Sequence, residues 1–199
     1  MVNARAAYAW CWGSNTVGEL GNASQTDVCG SYGCSTIPVL SVAGHMFVQI
    51  ATGLHFSCGR STGGQVTCWG NSGKVGTTPT GPPGTPESVA SGRAFAWLTA
   101  GTDHACAVAQ EGSACCWGFN EWGQTGQAPG GNKTEPTLVA GGHTFSTLDA
   151  GWGHTCGVAV EGLLCWGDNR YSQLGVLSLV GTGPVPVVGQ GQAAAEARR

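Results

Sequence analysis

Cys11-Trp12-Gly13 recurs as Cys68-Trp69-Gly70, Cys116-Trp117-Gly118 and Cys165-Trp166-Gly167 in this chain of 199 residues. The four copies begin 57, 48 and 49 residues apart. A nearly fixed period of this length is typical of a repeat architecture, in which one structural unit is stacked several times.

Similarity between the copies extends upstream of the tripeptide at constant spacing. A proline is followed by a glycine six residues later, a phenylalanine three later, a glycine six later and a cysteine five later. Three copies keep every interval, which indicates a true repeat. The matched positions are Pro38, Gly44, Phe47, Gly53 and Cys58; Pro86, Gly92, Phe95, Gly101 and Cys106; and Pro136, Gly142, Phe145, Gly151 and Cys156.

Local patterns within the repeat predict strands and tight turns. Residues 156–166 place apolar segments on both sides of Glu161-Gly162, which predicts a β-hairpin whose glycine adopts the positive φ of a tight turn. The same pattern surrounds Glu111-Gly112 and Gly63-Gly64. Upstream, residues 47–51 alternate in the manner of a half-buried strand. No window has a sustained helical stripe, so we expect an all-β fold.

Each predicted hairpin carries one cysteine on each strand, about symmetrically around its turn. Cross-strand partners lie close enough for a disulfide, so we predict three bonds, with buried free thiols as the alternative. A fourth bond is expected around a short loop, and two cysteines remain unpaired or available for an intermolecular bond. The predicted bonds are Cys58–Cys68, Cys106–Cys116, Cys156–Cys165 and Cys29–Cys34; the remaining cysteines are Cys11 and Cys115.

Composition limits the classes of function. Glycine accounts for 35 of 199 residues, where about 7% is typical, and only 10% of residues are charged. A net charge of −3 with scattered Lys and Arg gives no basic patch for nucleic acid. No run of 18 apolar residues predicts a membrane span. No catalytic, metal-binding or phosphate-binding motif is present, so we expect neither an enzyme nor a cofactor.

We interpret the chain as one repeat-array domain. It consists of a half unit at 1–36, full units at about 37–84, 85–134 and 135–183, and a partial unit with a tail at 184–199. Only the second half of a hairpin unit is present around Cys11, which therefore lacks its expected partner. The segment 77–86 is rich in proline and is expected to be an exposed connector.

The pattern Gly-x-x-His-x-Cys, followed by Cys-Trp-Gly-x-Asn-x-x-Gly-Gln-Leu-Gly and then proline, resembles the regulator-of-chromosome-condensation repeat in its cysteine-bearing, extracellular bacterial version. The resemblance covers nearly the whole chain and implies a β-propeller of four-stranded antiparallel blades, about seven in known members. His104 and His154 match the histidine of the motif, whereas Phe56 replaces it in the first full unit. Lys74-Val75 and Gln124-Thr125 diverge from the Gln-Leu pair. This chain holds about three to four blades, which predicts a partial ring or one completed by assembly.

Candidate binding residues lie on the turn segments that follow the repeated tripeptide and near the repeated glycine. Four aromatic residues there are candidates for an exposed binding rim, with packing between blades as the alternative: Phe119, Trp122, Trp152 and Tyr171. Asn22 and Asn132 begin glycosylation sequons. The repeated histidines are expected to have a structural role, because they recur at equivalent positions.

These observations favour a non-catalytic extracellular or cell-surface module that binds a protein or a glycan through its loops. No signal peptide is visible, so we interpret the sequence as mature or partial. One alternative is a self-assembling structural subunit, in which a ring or a head-to-tail filament is completed by sharing strands or blades. A second alternative is an intracellular propeller similar to guanine-nucleotide exchange factors, which the paired cysteines disfavour.

Overall fold

A computed structural model describes residues 6–22, 27–74, 76, 81–82, 84–89, 92–176 and 180–187. Within those residues the regular structure consists of β-strands in four antiparallel sheets and one short 3₁₀ turn at Ser72–Lys74. The prediction of an all-β fold made of antiparallel, propeller-type blades is confirmed.

Three of the sheets have four strands each, and we call them blades 2, 3 and 4. In each blade the strands are hydrogen-bonded in chain order, from an inner strand to an outermost one. Blade 2 consists of β4 (Gln49–Gly53), β5 (Phe56–Arg60), β6 (Val66–Gly70) and β7 (Glu87–Ser88). Blade 3 consists of β8 (Phe95–Ala100), β9 (His104–Ala109), β10 (Ala114–Gly118) and β11 (Lys133–Leu138). Blade 4 consists of β12 (Phe145–Ala150), β13 (His154–Ala159), β14 (Gly162–Asp168) and β15 (Val180–Pro186).

Blade 1 is the exception, because it has three strands. They are β1 (Trp10–Ser14), β2 (Asp27–Cys29) and β3 (Tyr32–Leu40), in the spatial order β1-β3-β2. Its Cys-Trp-Gly strand, β1, therefore pairs with the following proline-bearing strand, as β10 pairs with β11. The two inner strands of the other blades have no counterpart here among the described residues.

The blades are out of phase with the units of the sequence repeat. Pro38, Pro136 and Pro186 lie in β3, β11 and β15, which pair with the Cys-Trp-Gly strand that precedes them. Proline lacks an N–H donor and suits the outer part of a sheet, where fewer hydrogen bonds are required. Residues 184–186, which the sequence pattern placed at the start of a further unit, thus form the outermost strand of blade 4.

All four predicted disulfides are present. In each of three hairpins the two cysteines are directly opposite each other, with Cα–Cα distances of 4.0 to 4.1 Å. The fourth bond, Cys29–Cys34, links β2 to β3. Cys115 points away from Cys116, as expected for successive strand residues, and lies in the core shared with blade 2.

The cores lie between neighbouring blades, and each contains a tryptophan of the repeated tripeptide. Trp69, Trp117 and Trp166 are completely buried. The indole N–H of Trp69 donates to the carbonyl of Glu19 at 2.9 Å, and that of Trp166 donates to the carbonyl of Gln124 at 3.0 Å. Trp69 and Trp166 therefore attach their own blades to the loop of the preceding blade.

The inner strands β4, β8 and β12 lie side by side at one edge of the blades. A Cβ on Gly53 would lie 2.5 Å from the carbonyl oxygen of Gly101, and a Cβ on Gly101 would lie 2.2 Å from that of Gly151. Because only glycine permits this approach, the repeated glycine allows the inner strands to converge.

We predict that two equivalent tryptophans differ in their response to phenylalanine. Trp166→Phe removes an indole N–H that has an acceptor, whereas the indole N–H of Trp117 is buried with no acceptor among the described residues. Trp166→Phe should therefore lower the free energy of unfolding by about 1 kcal/mol more than Trp117→Phe does. Urea unfolding of both variants with the disulfides intact measures the difference, and equal losses would contradict the assigned hydrogen bond.

Candidate functional site

Three of the four loops that follow the Cys-Trp-Gly strands share one internal frame; in the loop after β6 the amide of Asn71 instead accepts from the backbone N–H of Gly73 at 3.0 Å. The side-chain amide of the first loop asparagine accepts from a backbone N–H five residues later: Asn15 from Leu20, Asn120 from Thr125 and Asn169 from Leu174, at 2.8 to 3.1 Å. The same amides donate to carbonyls further along, those of Asn22, Ala128 and Val176. An asparagine at this position thus closes the loop by itself, as side-chain amides do in turns.

A second side chain completes this frame. Glu19, Gln124 and Gln173 each accept a hydrogen bond from the backbone N–H two residues earlier, that of Val17, Trp122 and Tyr171, at 2.8 to 3.0 Å. The residues between the asparagine and the glutamine are consequently held in similar backbone positions. The side chains at these positions differ from loop to loop. The loops therefore share one backbone conformation but carry different side chains.

One residue of the frame adopts an unfavourable backbone conformation. Ser172 has a φ of 59°, where the equivalent residues are Gly18 and Gly123 with φ of 81° and 78°. A residue with a side chain in this region is strained relative to glycine.

We predict that Ser172→Gly stabilises the protein by about 0.5 to 1 kcal/mol, because it relieves the left-handed conformation. The matched change Gly123→Ser should destabilise it by a similar amount. Thermal unfolding of both variants measures the two effects, and a loss of stability on Ser172→Gly would contradict the assignment of strain.

Arg170 and Trp122 of these loops meet Trp152, which lies between β12 and β13, and Tyr171 follows Arg170 in the chain. We call Trp122, Trp152, Arg170 and Tyr171 the arginine rim. The guanidinium carbon of Arg170 lies 4.0 Å from the ring centroid of Trp122 and 5.4 Å from that of Trp152. Both distances are within the range of cation–π attraction. Trp152 is 57% exposed and Tyr171 is 86% exposed.

A buried carboxylate holds Arg170 in place. Asp168 has no exposed surface, and its two oxygens accept from Nε and Nη2 of Arg170 at 3.0 and 3.1 Å. Burial alone would raise the pKa of Asp168, but the hydrogen bonds from the side chain and backbone N–H of Arg170 outweigh it and hold this pKa below its ordinary value. Hydrogen bonding to Asp168 likewise raises the pKa of Arg170. The rim therefore carries a permanently charged, preoriented guanidinium.

The four aromatic residues predicted for the rim occupy different environments. Trp152 and Tyr171 are exposed as expected, whereas Trp122 is half-buried beneath Arg170. Phe119 is half-buried at the end of β10, where its backbone N–H donates to the carbonyl of Asp103. Arg170 contacts Trp122 and Trp152 but not the rings of Phe119 or Tyr171. Sequence reasoning missed Arg170, although its position two residues after Asp168 in the repeated loop is a usable signal.

His104, the repeated histidine of blade 3, lies between blades 3 and 4. His104 is completely buried, and its Nε2 donates to Oγ1 of Thr155 in blade 4 at 2.8 Å. Thr155 in turn donates to the carbonyl of Gln124 at 3.0 Å. Burial, with a smaller contribution from His154, lowers the pKa of His104 to about 3. The imidazole is therefore neutral and forms part of a hydrogen-bond chain between blades.

We predict that His104 makes the protein sensitive to acid. Its pKa is lower in the folded chain than the ordinary 6.5, so the unfolded chain binds more protons between pH 6.5 and about 3. Stability should fall with decreasing pH in this window, by up to about 1.4 kcal/mol per pH unit.

The matched variant is His104→Phe, since Phe56 occupies the equivalent position in blade 2. Urea unfolding at pH 7 and pH 4.5 compares it with the original chain. The variant should lose less stability on acidification; an unchanged pH dependence would show that other groups are responsible.

The repeat identified from the sequence is matched by a known family. The family described as "Regulator of chromosome condensation (RCC1) repeat" matches residues 47–74 and 145–173. Each matched segment runs from the repeated phenylalanine through the disulfide-linked hairpin into the loop. These two segments of the chain are therefore similar to the RCC1 repeat.

Solved RCC1-type propellers have the same fold. Human WBSCR16 is 20% identical with a TM-score of 0.77, over 88% of this chain and 48% of that protein. Yeast RCC1 (Prp20), in a structure bound to Kap60, is 23% identical with a TM-score of 0.73, over 89% of this chain and 45% of that one. The chain thus spans about half the length of the solved structures it matches. No curated protein sequence matches it.

The two sequons differ in accessibility. Asn132 is exposed in the loop before β11. The side-chain amide of Asn22 instead donates to the carbonyl of Leu40 at 3.0 Å. Residues 23 and 24 of the Asn22 sequon lie outside the described residues. Of the two, Asn132 is the more accessible to a modifying enzyme.

The part of the chain that the structure describes has neither a metal-binding cluster nor a membrane-spanning helix. No group of three or more His, Cys, Asp or Glu side chains could hold a metal ion there. The described residues include no helix of the length and apolarity needed to cross a membrane.

Proposed function

We propose that this chain is a non-catalytic extracellular or cell-surface module that binds a protein or a glycan through the arginine rim. The observation that carries this proposal is the exposure of Trp152 and Tyr171 beside a guanidinium that is already fixed by Asp168 and Trp122. Exposed aromatic residues of this size are costly to leave in water unless a partner covers them.

The chemistry of the rim supports a protein partner first. Tryptophan, tyrosine and arginine are the residue types that contribute most to binding at protein interfaces. Arg170 is held before a partner arrives, so little side-chain entropy is lost on binding. A glycan is the second class, because a flat indole face such as that of Trp152 packs against the apolar face of a sugar ring.

The titles of similar structures support a protein as the class of partner, but they do not identify the partner of this chain. Yeast Prp20 has been solved bound to Kap60, and a second Prp20 structure is titled with its binding to Gsp1p and histones. Those proteins are about twice the length of this chain, so the class of partner is proposed here and its identity is not transferred.

The disulfides support the extracellular setting. Four bonds in a chain of this length are typical of an oxidising compartment. An intracellular role similar to that of guanine-nucleotide exchange factors would place the same cysteines in a reducing environment, and it is therefore not favoured.

Self-assembly is a second candidate, favoured by the two ends of the blade array. Trp12 is 65% exposed, whereas the three equivalent tryptophans are completely buried. At the other end Val158 is 49% exposed, whereas its equivalent Val108 is 2% exposed against blade 4. A ring or head-to-tail filament would cover both faces. Native mass spectrometry across a range of protein concentrations separates this candidate from a monomeric binding module.

We predict that binding depends on the rim. The immobilised chain is screened against a glycan array and a library of purified extracellular proteins, and each ligand found is titrated against Trp152→Ala and Tyr171→Ala. Each variant should weaken binding by about ten-fold or more, which corresponds to loss of a dominant contact residue.

The matched control is Val160→Ala, an 84% exposed apolar residue on the turn between β13 and β14. It should leave affinity unchanged. Equal affinity of all three variants for every ligand would remove the rim from the proposal, and a complete lack of ligands would favour self-assembly.

A further inference from the structure

The side chains of the arginine rim offer mainly hydrogen-bond donors to the solvent. Nε and Nη2 of Arg170 are bonded to Asp168, and the third nitrogen, Nη1, carries two N–H groups that have no acceptor among the described residues. The indole N–H of Trp152 and the hydroxyl of Tyr171 have no partner there either, and both rings are exposed. The rim can therefore donate to a ligand from three separate side chains.

The acceptors nearby are already used. Asp168 is fully buried, and its oxygens accept from the side chain and the backbone N–H of Arg170. The amide oxygens of Gln124 and Gln173 accept from backbone N–H groups of their own loops. Among the side chains of the rim itself, only the hydroxyl of Tyr171 can accept a hydrogen bond from a ligand. A ligand that is rich in acceptors and poor in donors fits these groups.

The rim carries no net charge. The negative charge of Asp168 compensates the positive charge of Arg170, and Glu121, which precedes Trp122 in the chain, is exposed. An acidic partner would be repelled by Glu121 and would compete with Asp168 for the guanidinium. A basic partner would approach the guanidinium of Arg170. Because like charges brought together at an interface lower the affinity, an uncharged ligand is expected.

The apolar surface of the rim consists of rigid ring faces. Trp152 and Tyr171 are the exposed rings, and Trp122 is packed beneath the guanidinium of Arg170. Aromatic-lined surfaces bind proline-rich segments, whose own rings are rigid and apolar. The rim therefore has the ring faces that this kind of ligand requires.

We propose that the arginine rim binds an uncharged, proline-rich segment of a partner protein in the polyproline II conformation. Proline has a carbonyl acceptor but no N–H donor. The polyproline II backbone makes no internal hydrogen bonds, so its carbonyl groups remain available to the donors of the rim. This inference rests on the proposed function and names the class of protein partner.

Each group of the rim has a role in this complex. Nη1 of Arg170 donates to a backbone carbonyl of the segment, while the rings of Trp152 and Tyr171 pack against proline rings. Asp168 already fixes the guanidinium, and a polyproline II segment is already extended, so little conformational entropy is lost on binding. A glycan matches these groups less well, because every sugar hydroxyl brings a donor together with its acceptor.

The test is a titration of the full chain, with its disulfides intact, followed by nuclear magnetic resonance of the indole N–H groups. The probe is the uncharged peptide acetyl-(Ser-Pro-Pro)₄-amide. The matched control is acetyl-(Ser-Ala-Ala)₄-amide, which has N–H donors at every position. The acidic peptide acetyl-(Glu-Pro-Pro)₄-amide and the neutral oligosaccharide maltohexaose are titrated in parallel. Loss of one signal in Trp152→Phe identifies the indole N–H of Trp152.

We expect the Ser-Pro-Pro peptide to shift the Trp152 signal and to bind about ten-fold more tightly than the Ser-Ala-Ala peptide. Its affinity should be almost independent of salt, because no net charge is involved. Trp152→Ala should weaken binding by about ten-fold or more. Arg170→Lys keeps the charge but loses the planar fork of N–H groups, so it should weaken binding by about five-fold. Val160→Ala should leave the affinity unchanged, and thermal unfolding checks that each variant is folded.

Two results would overturn the inference while leaving the rim as a binding site. One is a shift of the Trp152 signal by maltohexaose with no response to the Ser-Pro-Pro peptide. The other is tighter, salt-sensitive binding of the acidic peptide that Arg170→Lys retains. Equal binding of the Ser-Pro-Pro and Ser-Ala-Ala peptides would also overturn it. Binding of the Ser-Pro-Pro peptide that Trp152→Ala and Arg170→Lys both leave unchanged would instead remove the rim, and with it the proposed function.

Discussion

The contact that the rest of the structure depends on is the packing of each repeated tryptophan against the preceding blade. The ring fills the space between two sheets, and at Trp69 and Trp166 its N–H donates to a loop carbonyl of the neighbour. A single unit of a repeat protein cannot bury its apolar face alone and needs a neighbouring unit to cover it. Most of the stability therefore comes from the junctions, that is, the contacts between neighbouring blades. Each junction requires a tryptophan and a correctly folded preceding loop.

The three junctions share this apolar contact but differ in polar pairing. Glu19 pairs with His55 between blades 1 and 2, at 2.8 Å, while Lys74 pairs with Asp103 between blades 2 and 3. At the third junction the equivalent positions are Gln124 and Gly153, both uncharged. Placing a blade at the wrong junction would bring like charges together or leave a charge unpaired. Apolar packing alone would let any two blades pack at any junction. The polar pairs thus add specificity for the correct neighbour.

Within each of these loops, the residues that hold the backbone and the residues proposed to bind a partner are different and lie a few positions apart. Asn120 and Gln124, like Asn169 and Gln173, hold the loop backbone through their amides. The side chains between them are not part of this amide frame, and in blades 3 and 4 they place Trp122 and Arg170 in contact. A frame of this kind tolerates change at the displayed positions because the hydrogen bonds that form it involve other residues.

The sequence by itself determined the hairpins and their disulfides, because both depend on residues about ten positions apart and on a turn glycine between them. It also determined the repeat, but it left open whether Trp152 and Tyr171 are exposed or packed between blades. It did not determine the limits of the blades, since a strand such as β15 between two repeats can join either one, and only hydrogen-bond pairing decides. The contact of Arg170 with Trp122 and Trp152 joins residues 18 to 48 positions apart, and no sequence pattern marks it. Those features were decided by tertiary structure, because they arise where separate blades meet.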